Sequence, residues 1–290
     1  MDTESLKAFL AVTKHRSFSE AGEELHITQP AVSKRIAALE ESLRHALFNR
    51  LGRDVTLTEA GENLLPLAEQ ILRDMRETER RIRELSGEIS GTLKVATSHH
   101  IGLHHLPPVL HAFTSAHPHV NLQFEFLDSE QAHERIARGE CELAVVTLAP
   151  KLVPPLRGEV IWADPLVFVG APKHVLAQQA HITLHELGNY PAILPDLNTF
   201  TGRLVKERFD REGIKLQLNM TTNYLETIKM MVSVGLGWSV LPKSMVDNHI
   251  SEIPVADIGL QRNLGVVTHG KRTLGNAAAA FFDVIRNSVL

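Results

Sequence analysis

The chain has 290 residues, 43% hydrophobic and 22% charged, the balance of a folded protein with room for one small and one larger domain. It holds no 18-residue apolar run, which excludes a transmembrane helix, and its single cysteine, Cys141, excludes an internal disulfide. The net charge of −4 says little by itself about partners, and an N-terminus that opens on an amphipathic helix without a signal-peptide pattern points to a reducing cytoplasm.

Met1 to His15 reads as a helix with Leu6, Phe9, Leu10 and Thr13 on one face. Ser19 is the expected N-cap of a short second helix containing Ala21 and Leu25, and Thr28 the cap of a third. Pro30 falls in the first turn of that third helix, where a missing N–H is harmless. Ile27 and Val32 are spaced as a hydrophobic staple. Val32, Ile36, Leu39 and Leu43 then face the core, leaving Gln29, Ser33, Lys34 and Arg35 on the exposed start of the helix. A hairpin follows, with Arg50 and Arg53 flanking Gly52 and with Val55 and Leu57 as its apolar side. Two short helices, a tight turn and a basic hairpin are the layout of a winged helix-turn-helix, which puts one helix end into the major groove of DNA. Gln can hold adenine bidentately, and Lys or Arg can hold guanine or phosphate. The expected DNA-contacting set is Ser19, Thr28, Gln29, Pro30, Ser33, Lys34, Arg35, Arg50 and Arg53. Residues 1–60 are slightly acidic in total, so binding rests on where the basic side chains sit.

The stretch from Met1 to Gly61 resembles the DNA-binding domain of LysR-type transcriptional regulators. The matching residues include Leu6, Phe9, Ser17, Phe18, Ala21, Leu25, the run Thr28-Gln29-Pro30-Ala31-Val32-Ser33, Ile36, Leu39, Glu40, Leu43, Leu47-Phe48, Arg50 and Leu57-Thr58-Glu59-Ala60-Gly61. Two departures are Gly22, where the family usually has Ala, and His45, where it usually has Gly before the wing.

From Thr58 to Ile89, Leu64, Ala68, Ile71, Met75, Thr78, Ile82, Leu85 and Ile89 alternate by four and three, a heptad seam. Arg73, Arg76, Arg80, Arg81, Glu69, Glu77 and Glu79 make the opposite, solvated face. Thr58 can cap this long helix, Gly87 or Gly91 can end it, and Pro66 should kink it. The seam is read as pairing with a second copy through Leu64, Ala68, Ile71, Met75, Ile82 and Leu85, the alternative being that it packs on its own chain. The family resemblance implies a dimerisation helix here, and tetramers built as dimers of dimers.

After Gly91 apolar strands alternate with amphipathic helices. Leu93–Thr97, Val120–Phe126 and Leu143–Val146 are strands separated by helices through Leu106–Phe113 and Ala132–Ala137. That order implies a parallel sheet. A second run starts at Val160 and passes through Ala192–Leu194, a helix near Thr201–Arg211, Leu216–Met220, a helix near Leu225–Val234 and Trp238–Leu241, before a returning strand and a last helix. Two α/β lobes with two crossings make a cleft, with loops at strand ends rich in hydroxyl and amide groups; helix N-termini there favour a small anion such as a carboxylate. The run His105-Leu106-Pro107-Pro108 with Phe113, Pro118 and Arg138-Gly139-Glu140, and the run Val234-Gly235-Leu236-Gly237-Trp238 with Leu241-Pro242, resemble the effector domain of the same family. The resemblance implies an α/β fold like that of periplasmic solute-binding proteins, with effector contacts at Ser98, His100, Ser129, Thr147, Thr199 and Thr222.

The expected division is therefore a winged helix-turn-helix at 1–61, a linker and dimerisation helix at 62–90, and a two-lobed effector domain at 91–290. Its first lobe takes about 91–160 and 268–290, its second about 161–267. His99, His100, His104, His105, His111, His117 and His119 crowd one stretch, and His100 and His104 are spaced i, i+4. A metal sensor would need further ligands supplied by the fold, so the histidines are read as solvated and no metal site or cofactor is expected. Ser98-His99-His100 lacks a nucleophile elbow and an oriented base, so no catalytic site is expected. The function implied is a cytoplasmic regulator that binds promoter or operator DNA as a homo-oligomer and answers to a small-molecule co-effector. RNA polymerase stands as a further candidate partner, and a membrane does not.

Overall fold

The computed structural model describes residues 1–51, 54–83, 87–255 and 258–288, and the chain divides into two compact units, Met1–Ser86 and Gly87–Leu290. In the first unit, helix α1 (Thr3–His15) is capped by Asp2, whose carboxylate accepts from Ser5 N at 2.8 Å. Helix α2 (Phe18–Glu24) is capped by Ser17, which accepts from Glu20 N. Ser19 therefore lies inside α2 and is not its cap; the chain is already helical at Phe18, two residues earlier than expected. Helix α3 (Gln29–Leu43) follows a turn through His26, which has φ +54°. Gly22 fits this turn sterically, because a Cβ there would stand 2.8 Å from Ile27 O. The departure from Ala at this position thus goes with a closer approach of α2 to the turn.

Strands β1 (Phe48–Leu51) and β2 (Asp54–Leu57) pair antiparallel as the wing, Phe48 opposite Leu57. Glu40 of α3 holds the wing's entry, its Oε1 accepting from Leu47 N at 2.8 Å. His45 has no positive φ; Arg44 takes the left-handed position instead, at φ +56°, so the turn into the wing needs no glycine at His45. Thr58 caps helix α4 (Glu59–Arg83) by accepting from Gly61 N. Pro66 lies within α4.

The core of this unit gathers Leu6, Phe9 and Val12 of α1 with Val32, Ile36 and Leu39 of α3, Phe48, and Ala68 and Leu72 of α4. Two expectations change. Leu43 is exposed at the end of α3, because the helix has run past the core by its last turn. The first half of the heptad seam is largely used within the chain: Ala68 is buried, and Leu64 and Ile71 pack against the same cluster. Leu67, Met75 and Ile82 remain exposed. Leu85 lies outside the described residues, and Ile89 packs against the core of the second unit instead of extending the seam.

The second unit runs β3 (Gly91–Thr97), α5 (His99–His104), α6 (Leu106–Ala116), β4 (Val120–Phe126), α7 (Ser129–Arg138), β5 (Leu143–Thr147) and β6 (Leu156–Gly170). It continues through α8 (Leu184–Gly188), β7 (Ala192–Leu194), α9 (Phe200–Arg211), β8 (Leu218–Thr221), α10 (Leu225–Ser233), β9 (Ser239–Pro242), β10 (Ser251–Glu252), β11 (Leu260–His269) and α11 (Asn276–Asn287). The main sheet has the order β10-β6-β11-β5-β3-β4, with β9 also on β6. Strands β4, β3 and β5 are parallel as their crossover helices require. Strand β11 joins antiparallel to both β5 and β6, so the sheet is mixed.

Strands β6 and β11 pass through both lobes. Their first-lobe portions carry Leu264 and Val266 into a core with Leu93, Val95, Phe113 and Phe281. Their second-lobe portions carry Leu166, Phe168 and Leu260 into a core with Phe209 and Trp238. The register shifts between Leu264 and Gly265. Pairing with β5 begins at Leu264, so Leu264–Val267 belong to the first lobe and the return crossing comes earlier than 268.

Candidate nucleic-acid interface and ligand cleft

α3 starts where Thr28 is extended and Pro30 can occupy the first turn. The Thr28 side chain makes no cap bond, so the open helix end presents Thr28, Gln29, Pro30 and Lys34 to solvent. Gln29 Nε2 donates to Ser33 Oγ at 3.0 Å, which holds these two polar side chains together one turn apart. Arg35 is not free as expected: it is half-buried and pairs with Glu4 of α1 at 3.1 Å, tying α3 to α1. Ser19 is exposed on α2. Arg50 sits in β1 opposite Val55; its side chain, and Arg53, lie outside the described residues.

In the second unit a cleft of about 300 Å³ opens between the lobes. Ser98, His100, Ser129, Thr147 and Thr199 line it. Thr222 does not: Asn223 takes that place, and the Thr222 hydroxyl faces its own turn, accepting from Tyr224 N. Their chemistry differs. The Ser98 hydroxyl makes no hydrogen bond among the described residues. Ser129 Oγ accepts from Thr147 N at 3.1 Å, tying α7 to the end of β5. Thr199 is the N-cap of α9, donating to Asp196 O and accepting from Gly202 N, so its hydroxyl is already committed.

The cleft also holds groups outside the expected effector set, some of them in the loops that the sequence marked. Asn223 Nδ2 donates across it to Asp128 Oδ2 at 2.7 Å, while Asn223 Oδ1 accepts from Asp196 N. Phe200 N, in the first turn of α9, donates to the carboxylate of Glu130 from α7. Burial raises the Glu130 pKa, offset in part by backbone hydrogen bonds and by Arg203. On the floor, Arg262 of β11 bonds Asp164 of β6, its register partner, at 2.7 Å and donates to Thr201 Oγ1 at 2.9 Å. A Glu at the second position of α7, facing the start of another helix, is a signal only once the two lobes are placed.

Beside the cleft, Glu226 in the first turn of α10 meets the histidines of α5. Its Oε1 lies 2.9 Å from His104 Nε2 and 3.4 Å from His100 Nδ1, and its Oε2 lies 3.4 Å from His99 Nδ1. Burial, with the nearby Arg262 cation, pulls the His100 pKa down to about 4. Cys141 is buried, and burial pushes its thiol pKa up, which leaves it protonated and inert. No helix among the described residues is long and apolar enough to cross a membrane.

Residues 3–62 match the family model described as bacterial regulatory helix-turn-helix protein, lysR family, and residues 86–289 match that of the LysR substrate binding domain. The RuBisCO operon transcriptional regulator of Acidithiobacillus ferrooxidans is 33% identical over 285 residues, covering 97% of this chain and 92% of that protein. An HTH-type transcriptional regulator from the ibpB-leuC intergenic region of Azotobacter vinelandii is 63% identical over 108 residues, 37% of this chain and 75% of that one. Full-length OxyR from Pseudomonas aeruginosa superposes with a TM-score of 0.71 at 23% identity, covering 99% of this chain and 98% of that one, a likeness of fold.

Proposed function

The chain belongs to the LysR family of transcriptional regulators, and from that premise we propose that its cleft takes a small anion which displaces Glu130 from the start of α9. The family makes it a DNA-binding regulator with a substrate-binding domain, and not an enzyme. The observation that carries the finer reading is the bond from Phe200 N to the Glu130 carboxylate. A helix N-terminus favours negative charge, and here the chain's own carboxylate occupies it. An effector carboxylate at the same amide would exchange one charge-assisted bond for another, with Ser98 and Thr147 offering free hydroxyls beside it.

On the same reading the chain works as a symmetric oligomer. Gln29, Ser33 and Lys34 face base edges and the wing faces phosphate. The Acidithiobacillus relative, similar along nearly its whole length, is named as a regulator of an operon, which supports a promoter as the target.

Calorimetric titration with small mono- and dicarboxylates, set against their uncharged amides, is the test. Carboxylates should bind and amides should not. Glu130→Gln should bind the same carboxylates roughly fivefold tighter, because a neutral internal acceptor competes less by about 1 kcal/mol. Equal binding of amides and carboxylates would remove the anion from this reading, and an unchanged affinity in Glu130→Gln would place it away from α9.

A further inference from the structure

We propose that His100 and His104 of α5, with Glu226 of α10, form a divalent transition-metal site of the zinc class that joins the two lobes. It goes beyond the effector reading and does not depend on which anion the cleft takes. Spacing alone puts His100 and His104 one turn apart on α5, two ligands of one helix face. The fold supplies the third from the other lobe, since Glu226 opens α10 directly against them. One ligand atom from each residue lies within 4.8 Å of the others. Bonds of about 2.0–2.1 Å would set tetrahedral ligands roughly 3.3 Å apart, so small side-chain rotations close the site.

A second observation points to a missing partner. His100 Nε2 and Glu226 Oε2 are both buried and have no hydrogen-bond partner among the described residues. Buried polar atoms are nearly always satisfied; the Glu226 carboxylate faces both histidines, while His100 meets it through Nδ1, so an ion held there would take Nδ1 and the orphaned Nε2 lies on the ring's other edge. His100 itself is 5% exposed. Two imidazoles and one carboxylate suit zinc, cobalt or nickel better than magnesium or calcium. His99 Nδ1, 3.4 Å from Glu226 Oε2, stands where an outer partner would orient the carboxylate. Arg262, whose charge reaches His100, is paired with Asp164.

The test uses the full-length chain stripped with a chelator and titrated with cobalt(II), read by visible d–d absorption. One cobalt per chain should bind, zinc should displace it, and zinc should raise the melting temperature. His104→Gln and Glu226→Gln should each weaken cobalt binding by at least about tenfold. His104 is exposed, so its replacement leaves packing intact; circular dichroism checks both variants. His111→Gln, an exposed position on α6, should leave binding unchanged. The proposal is overturned if the wild type binds neither metal, or if both variants keep wild-type affinity.

Discussion

Replacing Ile82 by Glu isolates the part of α4 that is free to meet a second copy. Leu67, Met75 and Ile82 are 60%, 41% and 65% exposed, and their spacing keeps them within one face of the helix. An isoleucine moved from water into a helix–helix seam contributes about 1.5–3 kcal/mol. In a two-fold pair each substitution is present twice, so Ile82→Glu should cost about 3–6 kcal/mol, roughly a hundredfold to ten-thousandfold in dimer Kd. Ile71 is the wrong place for the same experiment: it packs against the core of the first unit, so a charge there would also attack the fold. Sedimentation equilibrium with parallel thermal unfolding separates the two effects. Ile82→Glu should sediment as a monomer and melt with a transition no broader than that of wild type. An unchanged mass would show that this face does not self-associate.

Gln29→Ala should lose about 1–3 kcal/mol of discrimination at one base pair per half-site while keeping its affinity for random DNA, read by competition binding; equal losses on both would move base readout elsewhere. Asp164→Ala leaves the largely covered Arg262 without its partner at the lobe crossing and should destabilise the second unit by about 3–5 kcal/mol in urea unfolding, with a smaller effect sinking the view that this pair holds the crossing. Burial depresses the His133 pKa, so its contribution to stability is complete above the ordinary histidine value of about 6.5 and is lost as pH falls through that value towards the lowered one. Unfolding at about pH 7.5 and about pH 5.5 should show a smaller loss for His133→Leu than for wild type, and equal losses would refute the assignment.

Much of the first unit could be read from spacing because its signals are local. Ile27 and Val32, the Pro30 turn and the Val55–Leu57 strand act within a few residues of each other. What escaped was tertiary. Arg35 looks like a free cation until α1 is placed and Glu4 comes alongside. The seam from Leu64 to Leu85 has one period throughout, yet the folding of α4 against α1 buries its first half. Period alone cannot say which copy, or which part of one chain, covers an apolar face. In the cleft, hydroxyls at strand ends marked the right loops but not the committed groups. Thr199 reads as a donor and serves as a cap. Asn223, Glu130 and Glu226 act across lobes separated by long stretches of sequence, where no local pattern can pair them.

The two lobes keep separate apolar cores, and much of what joins them across the cleft is polar. Asn223 bonds Asp128, Phe200 N bonds Glu130, and Glu226 meets His100 and His104. The ring of His133 against Phe200 adds one packed contact. Opening such a cleft breaks hydrogen bonds that water can replace, each worth about 0.5–3 kcal/mol, and leaves both cores intact. The strands β6 and β11 run through both lobes and are tied to each other by the Asp164–Arg262 pair. A ligand needs about 5.5 kcal/mol of differential affinity to reverse a strongly biased two-state equilibrium. A latch made of two or three such bonds lies in that range, whereas a shared apolar core would not. On the proposed reading the Glu130 carboxylate is the latch an incoming anion would lift, since it lies on the amide that the anion would take.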